Sequence, residues 1–284
     1  MGSCQGELVL VREGRSLIRC ATCQYIHVDP MYEAEELEAF YRGSYGESTP
    51  SPNWAEKVWN VRRSKKEGRI LDIGCWEGRQ LEEFIRVGGW ECTGTELNVR
   101  AAEVARSKSI DVHNVSLNEF VERFRGELWD VINLAYVLEH IPDPRGLLTR
   151  LRGFLAPNGI LIVEVPNEFS PFQMAYLKAK GREPYWIALP DHLNYFDSAS
   201  LEALARNTGY SILHREATFP MELFLLMGDD YLEDPPIGKS CFQKVVRMEG
   251  ILRDYDPGLV SRIYAELYKA NVGRALVLYL QGHP

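Results

Sequence analysis

Two carboxylates and a pair of glycines stand at the spacing of a nucleotide-like site. Asp72-Ile73-Gly74-Cys75-Trp76-Glu77-Gly78 closes a short apolar run, Ile70–Ile73, and Glu96 lies 24 residues beyond Asp72 at the end of a second run, Trp90–Glu96. Glycines just after a strand let backbone approach a ligand closely and open a helix whose first N–H groups favour anions. A carboxylate at the end of the next strand can accept two hydrogen bonds, as a ribose diol offers. A tight turn beside a surface Glu would use the same residues for nothing chemical, but the placement of Glu96 favours the ligand. The glycine spacing is not the dinucleotide G-x-G-x-x-G pattern, which weighs against a dehydrogenase. The other residues with chemistry to offer are His140, His192 and the cysteines Cys4, Cys20 and Cys23.

The elements that must position these residues are legible as an alternation from Arg69 to about Ala217. Strands are expected at Ile70–Ile73, Trp90–Glu96, Trp129–Ala135, Ile160–Val165 and Tyr210–His214. Helices are expected at Gly78–Val87, Val99–Ser107, Pro144–Leu155 and Ser198–Asn207, and a turn at Pro157-Asn158-Gly159. Strands alternating with helices of this length imply an α/β fold with a doubly wound, mostly parallel sheet covered on both faces. Ligands then sit outside the carboxyl ends of the strands. Three domains are expected: a small Cys-containing ribbon-like segment over 1–30, an N-terminal helical lid over 31–66, and the main domain over 67–284. The last contains a helical insertion over 218–273, in which Ser240–Arg253 and Gly258–Asn271 read as helices.

The chain has 284 residues, 32 Lys+Arg against 40 Asp+Glu, and a net charge of −8. An acidic chain without long Lys/Arg clusters is a poor match for nucleic-acid phosphates. No apolar run approaches the ~20 residues that span a bilayer. No apolar stretch follows a basic start, so no signal peptide is expected. Six cysteines are too few for a disulfide scaffold, and reduced thiols in the cytoplasm are the default.

Together these segments resemble class I S-adenosylmethionine-dependent methyltransferases of the small-molecule type. LDIGCWEG (71–78) resembles their motif I, with Trp76 where the family usually has glycine. TELN (95–98) resembles their second-strand acidic motif and WDVINLAYVLEHIPDP (129–144) their fourth-strand signature. LRGFLAPNGILIVEVPN (151–167) is similar to their fifth-strand segment, and HLNYFDSASLEALARNTGY (192–210) to the element that often follows. The resemblance spans about residues 69–217. It implies a Rossmann-like sheet of seven strands, the last antiparallel, formed by Ala275–Leu280 and inserted between strands five and six. It implies S-adenosyl-L-methionine as cofactor, with Glu96 and Leu97 at the ribose and Asp72, Gly74 and Cys75 at the amino-acid end. Ser116 and Leu117 would flank adenine, Leu134 and Ala135 would line the crevice, and Tyr45 would cover it.

The acceptor is expected to be a small hydroxylated or amino molecule, such as a sugar, a nucleotide-sugar or another biosynthetic intermediate, with oxygen preferred as the accepting atom. No nucleic acid or membrane partner is expected; a homodimer is among the expectations. His192, in the segment after the fifth strand, and His140, after the fourth, are the candidate general bases. A structural histidine, or a base at Tyr195 or Asp191, is the alternative. Cys20-Ala-Thr-Cys23 resembles the second knuckle of a zinc ribbon that precedes some of these enzymes. With Cys4 it makes three metal ligands, and His27 is a candidate fourth; a metal-free hairpin is the other reading. The rival functions are a methyltransferase acting on protein or RNA, and a non-catalytic cofactor-binding or interaction module.

Overall fold

The computed structural model describes residues 4–43 and 54–282. The chain begins with strands β1 (Gly6–Arg12), β2 (Arg15–Cys20) and β3 (Ile26–Asp29), then helices α1 (Ala34–Gly43) and α2 (Trp54–Arg62). The alternation runs β4 (Gly68–Ile73), α3 (Arg79–Val87), β5 (Trp90–Thr95), α4 (Val99–Ser107), β6 (Asp111–His113), α5 (Leu117–Arg123), β7 (Trp129–Ala135), α6 (Pro144–Leu151) and β8 (Leu155–Pro166). It continues through α7 (Pro171–Lys180), the short strand β9 (Asn194–Tyr195), α8 (Ser198–Asn207) and β10 (Tyr210–Ala217). Helices α9 (Glu222–Met227), α10 (Pro235–Tyr255) and α11 (Leu259–Lys269) lead to the last strand, β11 (Ala275–Gly282).

The main sheet has seven strands in the order β10-β11-β8-β7-β4-β5-β6. Pairing is parallel between β4 and β5, β4 and β7, β5 and β6, and β7 and β8. The last strands are antiparallel, and β11 lies between β8 and β10 as the resemblance implies. Consecutive residues Ile70 and Leu71 have no exposed surface, as a strand covered on both faces requires. The turn expected at Pro157-Asn158-Gly159 is instead an irregularity inside β8. Trp129 pairs with Leu155 but Val131 pairs with Ile160, so the intervening residues loop out, with Asn158 at φ 59. The helix expected to reach Leu155 stops at Leu151 and tightens into a 3-10 turn over Arg152–Phe154. Helix α10 starts earlier than Ser240 because Pro235 suits the first turn, where no N–H is needed.

The chain divides into two compact units. One comprises Met1–Asp29, Val165–Ala203 and His214–Val277. It holds a four-stranded sheet, β1-β2-β3-β9, with β1–β2, β2–β3 and β3–β9 all antiparallel. The other comprises Pro30–Glu164, Leu204–Leu213 and Leu278–Pro284, and contains β4 to β7 with their helices. Among the described residues no helix is long and apolar enough to cross a membrane.

Candidate functional site

In the second unit the expected cofactor residues gather at the carboxyl ends of β4, β5 and β7. Register sets Asp72 beside Gly94 on one side and Asn133 on the other. The Asn133 amide donates to the Asp72 carboxylate at 2.6 Å. Asp72 is 3% exposed, and burial pushes its carboxyl up to about 6, against the Asn133 hydrogen bond and the positive charge of Lys57. Lys57 comes from α2, is itself buried, and forms an ion pair with the fully buried Glu164 of β8. Neither residue of this pair was singled out from the sequence. The signal for Glu164 was a carboxylate inside the apolar run ILIVEV; α2 offers no comparable cue for Lys57.

Beyond β4 the chain turns at Gly74, which is exposed and takes φ 70. A Cβ there would stand 2.6 Å from Val137 Cγ2, so only glycine fits. The N–H groups of Gly74 and Cys75 donate to the Thr95 carbonyl at 2.8 and 3.0 Å, which fastens the turn to the end of β5. Cys75 is buried, and its thiol occupies the space that a side chain at Gly94 would need; burial holds that thiol well above its usual range. Trp76 adopts φ 47, a left-handed conformation that glycine takes more readily. That conformation costs a non-glycine residue roughly 1–2 kcal/mol. The Trp76 N–H donates to Glu96 at 2.9 Å.

Glu96 is held from several sides. Its carboxylate accepts the N–H groups of Trp76 and, at 2.8 Å, of Asn98. The Asn114 amide donates to the carbonyls of Glu96 and Leu97 at 2.7 and 2.8 Å. Burial raises the Glu96 carboxyl, and the N–H groups of Asn98, Trp76 and Leu97 oppose the rise. Asn114 was missed in the sequence because nothing in its neighbourhood marks it as a clamp. Asn98 caps α4 by accepting from Ala101 N–H at 3.0 Å, which orients the helix that follows the carboxylate.

The remaining expected residues are placed unevenly. Ser116 caps α5 in a capping box with Glu119, and Leu117 is the first, half-buried residue of that helix. Leu134 is fully buried, so its side chain belongs to the core rather than to a crevice wall. Ala135 is half-buried, and Tyr136 beyond it is 40% exposed at φ 54. Tyr45 lies outside the described residues. His140 sits in a 3-10 turn over Leu138–His140, its ring 5.6 Å from that of Tyr41.

This set fits a sulfonium nucleoside. Each oxygen of the Glu96 carboxylate takes one backbone N–H and keeps acceptor capacity for a ribose hydroxyl. Gly74 carries no side chain and is exposed, so a ligand can approach the backbone of the turn. The buried Asp72 carboxylate stands beside that turn at the end of β4, where a cationic amino group suits it.

In the first unit, His192 Nδ1 lies 2.9 Å from Glu168 Oε1. Glu168 is 4% exposed, and its Oε2 makes no hydrogen bond among the described residues. The His192 segment is fastened by its own N–H to Ala188 O at 2.7 Å and by Tyr195 Oη to His192 O at 3.1 Å. Glu168, just past β8, was not anticipated; its distance of 24 residues from His192 gives no local pattern. The same unit brings Cys4, Cys20 and Cys23 together with His27, their ligand atoms within 4.8 Å of one another. Burial would raise the Cys20 thiol, but the N–H groups of Cys23 and Thr22 bring it down to about 6.

Comparison with known proteins bears on the family. A methyltransferase domain matches residues 47–215, more than half of the chain. The ubiquinone biosynthesis O-methyltransferase of Histophilus somni is 31% identical over 171 residues, covering 53% of this chain and 71% of that protein. Among solved structures, a chain of the Haloferax volcanii complex between the Trm112 methyltransferase activator and a methyltransferase aligns at TM-score 0.55 and 13% identity, over 88% of this chain and 98% of its own. The [4+2]-cyclase SpnF aligns at TM-score 0.51 and 17% identity, over 85% and 86%. The two structural likenesses bear on fold alone, and a cyclase on this scaffold illustrates that fold does not dictate reaction. The domain match, with the strand-end carboxylates and the glycine turn, carries the assignment: the chain belongs to the S-adenosylmethionine-dependent methyltransferase family.

Proposed function

We propose that the protein methylates a hydroxyl group of a small molecule, with His192 as general base and Glu168 as the residue that positions it. The observation that carries this reading is the 2.9 Å contact between His192 Nδ1 and the buried Glu168 carboxylate. A relative named for O-methylation supports the choice of oxygen. Bound S-adenosylmethionine supplies a methyl group on a positively charged sulfur, which leaves as a neutral thioether. Glu96 and the Gly74 turn hold and orient the nucleoside, and alignment of this kind is worth roughly 7–11 kcal/mol of barrier. A carboxylate can only accept, so Nδ1 carries the proton and Nε2 is the basic nitrogen. As the new O–C bond forms, Nε2 takes the acceptor's hydroxyl proton, and Glu168 stabilises the resulting imidazolium. General-base assistance contributes typically ~10²–10⁴-fold.

The test is a panel of small hydroxylated acceptors, including sugars, nucleotide-sugars and phenols, scored by the demethylated cofactor released. With an accepted substrate, His192→Ala lowers kcat at least tenfold and leaves cofactor affinity within about twofold. Glu168→Gln lowers kcat less and shifts the acid limb of the pH profile towards lower pH, because the imidazole loses its carboxylate partner. Unchanged turnover in His192→Ala would remove His192 from the mechanism.

A further inference from the structure

We propose that Cys4, Cys20, Cys23 and His27 form a tetrahedral zinc site, with His27 Nε2 as the fourth ligand, and that the metal holds β3 and its partner β9. This inference is independent of the methyl acceptor. Cys4 Sγ and Cys23 Sγ are 3.8 Å apart. Two sulfurs bound to one zinc at about 2.3 Å and tetrahedral angles also stand about 3.8 Å apart. A disulfide needs about 2.05 Å. The pair is therefore at the spacing of two ligands on one ion.

His27 is set up as a ligand. Its Nδ1 lies 2.8 Å from the Val28 carbonyl oxygen. A carbonyl only accepts, so Nδ1 carries the proton and Nε2 the lone pair. The residue is 6% exposed, and Nε2 is buried with no hydrogen bond among the described residues. A buried nitrogen in that state is unfavourable unless something binds it.

The backbone around the sulfurs is shaped to present them. Cys23 N–H donates to Cys20 Sγ at 3.2 Å, and Gln24 N–H returns to the Cys20 carbonyl at 2.9 Å. Gln24 closes the knuckle at φ 70. Cys4 is brought from the far end of the hairpin because Gly6 pairs with Cys20 across β1 and β2. Three thiolates and an imidazole select a soft or borderline ion over magnesium or calcium, which prefer oxygen. Four protein ligands fill a tetrahedral zinc and leave no open position, so the site is structural. Its reach extends to the His192 segment: His27 pairs with Asn194 of β9, two residues after His192.

The full-length protein, purified reduced and without chelator, is equilibrated with zinc chloride, desalted and analysed for metal. The expected result is about one zinc per chain, and tetrahedral thiolate absorption bands when cobalt replaces it. His27→Ala lowers zinc affinity at least about tenfold, and His27→Cys restores it. Hydrogen exchange of the 24–29 and 193–196 amides accelerates on chelation. Binding of the demethylated cofactor checks that each variant is folded. Zinc below about 0.1 per chain in wild type, a Cys4–Cys23 disulfide by thiol counting, or undiminished affinity in His27→Ala would overturn the site. Unchanged exchange in β3 and β9 would overturn the anchoring role.

Discussion

At the scale of single residues, the strand-end carboxylates are made useful by their surroundings. Asp72 is raised by burial to about 6 in the folded protein, against roughly 4 for an exposed aspartate. The folded state therefore holds its proton more tightly than the unfolded one. The contribution of this group to stability is complete below about pH 4 and is lost as pH rises through about 6. Urea unfolding of ligand-free wild type and Asp72→Asn from pH 4 to 8 measures it. Relative to the variant, wild type should lose stability of order 2–3 kcal/mol across that window; parallel pH curves would contradict the burial argument. The positions of Asp72, Gly74 and Glu96 at the ends of apolar strands were legible in the sequence. The groups that hold them, Asn133, Asn114 and Lys57, were not. Their roles arise from pairing between strands and helices far apart in sequence, which no local pattern records.

At the scale of elements, α2 is joined to β8 by the Lys57–Glu164 pair. Both charges are buried, so removing one leaves the other uncompensated, at a cost of about 3–5 kcal/mol. Lys57→Met should destabilise the protein by that amount in chemical denaturation, and Lys57→Met/Glu164→Leu should recover most of it. A double variant as unstable as the single would mean that packing, not charge, explains the loss. Helix α3 makes a different demand. Gly78 precedes it at φ 78, and a Cβ there would come 2.4 Å from Ile110 Cδ1. Gly78→Ala should lower stability by about 1–3 kcal/mol through overpacking and backbone strain. Most strands and helices were legible from apolar periodicity. The two-residue β9 and the loop-out within β8 were not, because a short strand has no period to show and an irregularity is defined only by its partner strand.

At the scale of the whole molecule, the compact units join segments the sequence separates: residues 1–29 associate with 165–203 and 214–277. Reading along the chain sees runs and boundaries, while compactness depends on which runs pack together. Net charge was legible and has a consequence. With a formal charge of −8, the protein should show no measurable binding to duplex RNA at about 0.15 M salt. A salt-dependent retardation of RNA would instead indicate a macromolecular acceptor. The central claim is that Glu96 clasps the ribose of S-adenosylmethionine. Titration calorimetry with the demethylated cofactor tests it without any acceptor. Wild type should bind at one site, and Glu96→Ala should weaken binding about 10–100-fold, the worth of hydrogen bonds to a charged group. Equal affinity in the two proteins, or no binding to wild type, would contradict the account.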